Sequence, residues 1–231
     1  MIPKIIHYCW FGGKPLPKSA IKSINSWKKF FPDYEIKEWN ESNFDVNMIP
    51  YTKEAYAAKK YAFVSDFARF WVLHEYGGIY FDTDVEVIRP MDDIIRLGAF
   101  MGFEKQTSKK QKEHYIAPGL GIGCEAGNKT WKAIINTYIS YSSFSLDTGT
   151  VCEITSQHLL KKGAKLTGNY EITEGITLLP ADYLCPQAMI GAPIQLTENT
   201  RAIHHFDCTW LPSWKRNAII FKQKIKRLFI R

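Results

Sequence analysis

The chain has 231 residues, enough for one domain with a sizeable core, and its composition is that of an ordinary globular protein without repeats or low-complexity runs. Its net charge of +7 originates at one end: from Lys215 onward there are seven basic residues and no acidic one, leaving 23 of each sign elsewhere. A bilayer-spanning stretch, a signal peptide (only Ile5-Ile6 is apolar between Lys4 and His7) and a cysteine framework are not expected. Cys9, Cys124, Cys152, Cys185 and Cys208 are odd in number and widely spaced, as reduced cytoplasmic thiols would be.

Lys4 to Tyr8 reads as a first strand, closed by Gly12-Gly13, Pro15 and Pro17. Lys18 to Phe31 has helical spacing, with Ile21, Ile24, Trp27 and Phe31 on one stripe, and Tyr34 to Trp39 alternates as a second strand. Thr52 to Tyr76 reads as one long helix through Tyr61, Val64, Phe67, Phe70, Trp71 and Leu73. Asp66 and Arg69 are three apart in it and share a face. A helix this apolar is buried, and buried charges need partners, so the pair is more than a surface ion pair.

Tyr76-Gly77-Gly78-Ile79-Tyr80-Phe81-Asp82-Thr83-Asp84-Val85-Glu86 ends that helix and begins an aromatic strand. In an extended segment Asp82 and Asp84 project to one face, where two hard oxygen ligands can share a divalent cation and leave positions open for phosphate oxygens. The strand, helix, strand rhythm predicts an α/β sheet whose ligands lie beyond the carboxyl ends of its strands. Under that rule His7 to Trp10 and the aspartate pair face one crevice. Trp10 there either stacks on a nucleobase or is a core tryptophan.

Further on, Val85 to Ile88 reads as an edge strand or bend, Met91 to Arg96 as a short helix and Gly98 to Phe103 as a strand. Glu104 to His114 is highly charged and reads most simply as a mobile surface loop, closure over an acceptor being the alternative. Gly121-Ile122-Gly123-Cys124-Glu125-Ala126 has the form of a dinucleotide fingerprint, but Pro118 interrupts the strand it needs, and a strand followed by a helix from Asn128 to Tyr141 explains the same residues. Thr150 to Lys161 reads as a helix and Tyr170 to Leu179 as a hairpin turning near Gly175. Arg201 to Phe206 is a last strand whose alternation puts His204 and His205 on opposite faces, one of them away from the site. The tail carries Phe221, Ile225, Leu228 and Phe229 at helical spacing, so residues 215–231 form a basic amphipathic helix expected to dock on an anionic membrane surface, outside a domain of residues 1–214. No base-reading or zinc motif accompanies it, so nucleic acid is not an expected partner.

The opening Ile2 to Gly13, Ser65-Asp66-Phe67-Ala68-Arg69, the Tyr76 to Asp84 run and the closing Ile203-His204-His205-Phe206 with Thr209-Trp210 resemble, in that order along the chain, glycosyltransferase family 32. That family includes capsular-polysaccharide glycosyltransferases and yeast initiating mannosyltransferases. The resemblance implies a GT-A fold, a single Rossmann-like mixed sheet flanked by helices. It also implies a retaining, Mn²⁺- or Mg²⁺-dependent transfer of a sugar from a nucleotide donor, UDP-linked rather than GDP-linked, to a glycan or lipid-linked glycan acceptor. By resemblance Asp82 and Asp84 bind the metal, completed by His205 with His204 in reserve. Asp66, Arg69 and Asp82 hold the donor, and His7, Trp10, Tyr80, His205 and Trp210 line its site. The setting implied is surface or capsular polysaccharide synthesis on the cytoplasmic face of the plasma membrane. Two other readings use the same motif: a haloacid-dehalogenase-type phosphatase, whose first Asp is a nucleophile, and a non-catalytic glycan-binding module.

Overall fold

The computed structural model of the protein describes residues 1–107, 114–208, 211 and 213–228. In chain order its elements are β1 (Ile5–Cys9), α1 (Lys18–Phe30), β2 (Glu35–Trp39), α2 (Pro50–Ala57), α3 (Tyr61–Tyr76), β3 (Gly78–Tyr80), β4 (Val85–Val87) and α4 (Asp92–Ile95). There follow β5 (Phe100–Gly102), β6 (Ile122–Cys124), α5 (Lys129–Ile139), α6 (Val151–Lys161), β7 (Glu171–Thr173), β8 (Ile176–Leu179), α7 (Ala181–Leu184), β9 (Ala202–His204) and α8 (Ser213–Leu228).

Seven strands make one mixed sheet in the order β2-β1-β3-β6-β5-β8-β7. β1 is parallel to β2 and β3, and β6 is antiparallel to β3 and β5. The α/β sheet is as expected, with β4 and β9 forming a separate antiparallel ribbon beside it that carries His204 and leads directly into His205. The antiparallel direction of β6 also removes the dinucleotide reading, which needs a parallel strand feeding its helix.

Period-2 alternation sorts the side chains of the central strands between two cores. Ile6, Tyr8, Ile79 and Phe81 pack with Ile24 and Trp27 of α1 on one face, whereas Cys9 and Tyr80 pack with Val64, Phe67 and Phe70 of α3 on the other. Tyr80 is thereby delivered to the side of the sheet where Arg69 lies. Two helix expectations need correction. In α1 the inward row is Ala20, Ser23, Ile24 and Trp27, while Ile21 is 46% exposed. Trp27, fully buried with its indole N–H donating to the Val85 carbonyl at 2.8 Å, fixes the rotation of that helix. The long helix from Thr52 is two helices, broken where Lys59 takes a left-handed φ of 57° and the chain doubles back so that the Tyr56 and Tyr61 rings meet at 5.4 Å.

The Gly77-Gly78 turn joins α3 to β3 and cannot be made by other residues. Their φ values are 64° and 103°, and a Cβ on Gly78 would come within 2.6 Å of the Ile5 carbonyl oxygen. His7 locks this turn from β1. Its Nε2–H donates to the Gly77 carbonyl at 2.8 Å and its Nδ1 accepts from the Trp39 indole N–H at 3.0 Å. His7 is thus fully buried with both ring nitrogens engaged inside the fold, where the resemblance implies a place lining the donor site.

Burial outweighs the Gly77 bond and lowers the His7 pKa from 6.5 to about 4. The unfolded chain therefore binds a proton that the folded chain does not. This residue's contribution to stability is complete above pH 6.5 and is lost as pH falls toward 4, approaching about 3 kcal/mol at most. Urea unfolding across that range is expected to show the loss in the native sequence and a shallower pH slope in His7→Asn. An equal slope in both would show that another group sets it.

Candidate active site

Three segments meet at the carboxyl end of β3. Helix α3 contributes Asp66 and Arg69, whose side chains bond at 2.8 Å, with Arg69 Nε also donating to the Ser65 carbonyl at 3.2 Å. The Arg69 guanidinium, its side chain only 5% exposed, stacks 5.1 Å from the Tyr80 ring centroid and reaches Asp82 Oδ1 at 3.3 Å. The Tyr80 hydroxyl donates to the same oxygen at 2.9 Å. Tyr80 is therefore a buried support for Asp82. Behind Asp82 runs the segment Pro118–Leu120. Asp82 N–H donates to the Gly119 carbonyl at 3.0 Å, and a Cβ at Gly119 would overlap the Asp82 carboxylate. Only glycine lets this loop pass.

Asp82 and Asp84 do not lie in an extended strand, as the spacing predicts. β3 ends at Tyr80, and the two aspartates occupy a tight turn closed by Val85 N–H donating to the Asp82 carbonyl at 3.0 Å. The turn directs Asp84 toward the β4–β9 ribbon, where the register pairs Val85 with His204. Asp84 Oδ1 lies 3.1 Å from His204 Nε2, Asp84 Oδ2 accepts from the Asp207 amide at 2.9 Å, and the Asp84 carbonyl accepts from the His205 amide at 3.0 Å. Phe206 and Cys208, on either side of Asp207, have φ of 54° and 47°, a left-handed conformation that costs about 1 kcal/mol or more at each non-glycine position. That bend is what aims the Asp207 amide at Asp84.

The two histidines fall on opposite faces as their alternation predicts, but with roles reversed. His204 faces the aspartates, whereas His205 Nε2 lies 2.8 Å from Glu86 Oε2, an oxygen that also takes Lys22 Nζ at 2.9 Å. His205 is thereby removed from the site, because β9 is registered on β4 with His204 directly across from the turn. Trp10 is half-buried, its indole N–H donating to the Lys14 carbonyl at 2.6 Å. Trp210, Thr209, Phe229 and most of the lysine-rich loop, including Lys109, Lys110 and Lys112, lie outside the described residues.

One ligand atom each from Asp82, Asp84 and His204 lies within 4.8 Å of the others. The two carboxylate oxygens suit Mn²⁺ or Mg²⁺, the imidazole nitrogen inclines the set toward the transition metal, and the remaining positions would be open to phosphate oxygens. Burial alone would raise the Asp84 pKa, but the His204 ring beside it holds it down. Reciprocally, the Asp84 carboxylate overcomes burial and raises His204. His204 Nδ1 is buried and has no partner among the described residues. Asp66 differs: burial, with Asp82 adding and Arg69 opposing, pushes its pKa up to about 6. It remains an acceptor at neutral pH.

Sequence reasoning missed Asp207 and Glu104. Asp207 follows the histidine pair without a distinguishing pattern. Glu104 reads as part of a solvated loop, yet burial raises its pKa, with the His204 charge opposing.

Residues 17–100 match the family model described as the glycosyltransferase sugar-binding region containing a DXD motif. An inositol phosphoceramide mannosyltransferase of Schizosaccharomyces pombe is 31% identical over 104 residues, covering 43% of this chain and 29% of its own length. A glycosyltransferase of Acanthamoeba polyphaga mimivirus, named as uncharacterized, is 27% identical over 237 residues, covering 97% of this chain and 90% of its own. Among solved structures, a glycosyltransferase involved in glycosylation of the major capsid of PBCV-1 superposes with a TM-score of 0.53 at 10% identity, over 94% of this chain and 99% of that one. This last likeness bears on the fold alone. The chain spans less than a third of the length of the yeast relative.

Proposed function

We propose, from the match of residues 17–100 to the glycosyltransferase sugar-binding region with a DXD motif, that the chain moves a sugar from a nucleotide-sugar donor to a glycan acceptor. The observation that carries this reading is the convergence of Asp82, Asp84 and His204 on one point at the carboxyl end of β3, with Asp66 and Arg69 beside it. A phosphatase nucleophile needs an open in-line approach, and Asp82 Oδ1 is already engaged by Arg69 and Tyr80.

Asp82, Asp84 and His204 are the residues that would hold a divalent cation, which when bound supplies Lewis-acid neutralisation of the departing nucleoside diphosphate. The other groups position. Arg69, fixed by Asp66 below and Tyr80 alongside, offers its remaining N–H to sugar hydroxyls, and the Asp66 carboxylate accepts from them. Asp207 and His204 hold Asp84 in one orientation, so little reorganisation is left for the reaction. Among the described residues no side chain stands out as a nucleophile for a covalent intermediate. We read the transfer as retaining, with the acceptor hydroxyl attacking from the leaving-group side under positioning and electrostatics alone. No helix among the described residues is long and apolar enough to cross a membrane, and the basic C-terminal helix makes a lipid-linked glycan at an anionic membrane surface the acceptor we favour.

Incubation with Mn²⁺ or Mg²⁺ and a panel of UDP- and GDP-linked sugars, mannose among them, is expected to release nucleoside diphosphate from one donor and none from the rest. Release of phosphate from simple monoesters, with every nucleotide sugar left intact, would return the phosphatase reading.

A further inference from the structure

Helix α8 has two unlike faces. Toward the body, Ile220 and Gln223 lie against Gly191, where an added Cβ would come within 3.3 Å of the Ile220 Cα, and Arg216 donates to the Asp207 carbonyl at 3.2 Å. Away from the body, Trp214, Phe221 and Ile225 are 67%, 64% and 38% exposed. At a helical turn of about 100° per residue these three fall within roughly 40° of one another and opposite Arg216 and Gln223. Lys215 and Lys222 border the stripe, the Lys215 ammonium lying 5.4 Å from the centroid of the Trp214 ring. A stripe of this kind inside a segment with seven basic residues and no acidic one fits an anionic lipid surface. It fits a protein partner poorly, since lysine is depleted from the centre of protein interfaces.

The inward face leads to the cation site. Arg216 holds the carbonyl of Asp207, and the amide of the same residue holds Asp84 Oδ2 at 2.9 Å. The segment between is bent through the left-handed positions of Phe206 and Cys208, a conformation that persists only while both ends are fixed.

We propose that α8 is a strut between an anionic bilayer and the Asp84 carboxylate. Its outward stripe of Trp214, Phe221 and Ile225 enters the interface, and Arg216 on the inward side keeps Asp207 on Asp84, so that docking on the membrane completes the cation site. This rests on the reading of Asp82, Asp84 and His204 as that site. The acceptor-bearing surface and the competent donor site are then coupled, and donor is spared hydrolysis away from the membrane.

The test uses the full chain and two readouts. Wild-type protein is expected to sediment with phosphatidylcholine vesicles containing phosphatidylglycerol and not with phosphatidylcholine alone. The triple substitution Trp214→Ser, Phe221→Ser, Ile225→Ser should weaken that binding by about tenfold or more, whereas Arg216→Ala should still sediment. In titration calorimetry the anionic vesicles should tighten Mn²⁺ binding several-fold in the wild type and not in Arg216→Ala. Undiminished sedimentation of the triple variant overturns the docking stripe, as does self-association abolished by the same substitutions with no vesicle binding, which would make a second copy the occupant. Mn²⁺ affinity indifferent to vesicles overturns the strut alone. Absence of Mn²⁺ binding under every condition overturns the cation site, and the strut with it.

Discussion

Asp84→Asn is expected to lower metal-dependent transfer by about a thousandfold or more while the protein stays folded. Lewis-acid stabilisation of the leaving diphosphate is worth several kcal/mol, and each ~1.4 kcal/mol removed from it is a factor of ten in rate. Asn keeps the shape of the side chain, and its amide oxygen still accepts from the Asp207 amide at the position where Asp84 Oδ2 lies 2.9 Å away. What is lost is the negative charge, on which both the cation and the raised His204 depend. The cost to stability is that of one weakened charge-assisted hydrogen bond, about 1–3 kcal/mol. The measurement is nucleoside diphosphate release against Mn²⁺ concentration. A variant that merely needs more Mn²⁺ to reach the native rate would make Asp84 a binding group without a share in catalysis, and undiminished turnover at the native Mn²⁺ dependence would remove it from the site. Asp82 is expected to be less sensitive to its charge as a ligand, because Oδ1 is already occupied by Arg69 and Tyr80.

What the sequence discloses about this site follows from what is local. The β1–α1–β2 opening, the hairpin at Gly175 and the capping box that starts α6 at Thr150 are written in short periodic patterns and turn residues. The break between α2 and α3 is not, because no glycine or proline marks it and it is Lys59 that takes the left-handed position, with the Lys60 amide donating back to the Ala55 carbonyl. The aspartate pair is legible as a candidate cation site from its residue types, although the geometry that joins the two side chains is a turn and not a strand face. Alternation separates His204 from His205 but cannot say which faces inward. That depends on the pairing of β9 with β4, more than a hundred residues away in sequence, and on a ribbon distinct from the main sheet. Asp207 enters through the same non-local closure, its amide reaching Asp84 Oδ2, so no window along the chain could have singled it out.

Arg69→Met is expected to be among the most damaging single substitutions for stability, costing about 3–5 kcal/mol, because it removes one partner of a buried charged cluster and leaves the other. Arg69 is 4% exposed, bonds Asp66 at 2.8 Å and Asp82 at 3.3 Å, and covers the Tyr80 ring. Met fills much of the same volume, so the loss is electrostatic and not a cavity. Without the guanidinium, the Asp66 carboxylate, whose pKa burial already pushes up to about 6, has no counter-charge in a largely apolar wall and must take up a proton or drag water inward. Adding Asp66→Asn to Arg69→Met removes the stranded charge and should recover about 1–3 kcal/mol of the loss without recovering transfer, since both groups offered to the sugar hydroxyls are then gone. Urea unfolding of the four proteins of this double-mutant cycle measures the coupling directly. A coupling energy near zero would mean that Asp66 and Arg69 act like a solvated surface pair, and the two would then have to be held in place by something other than each other.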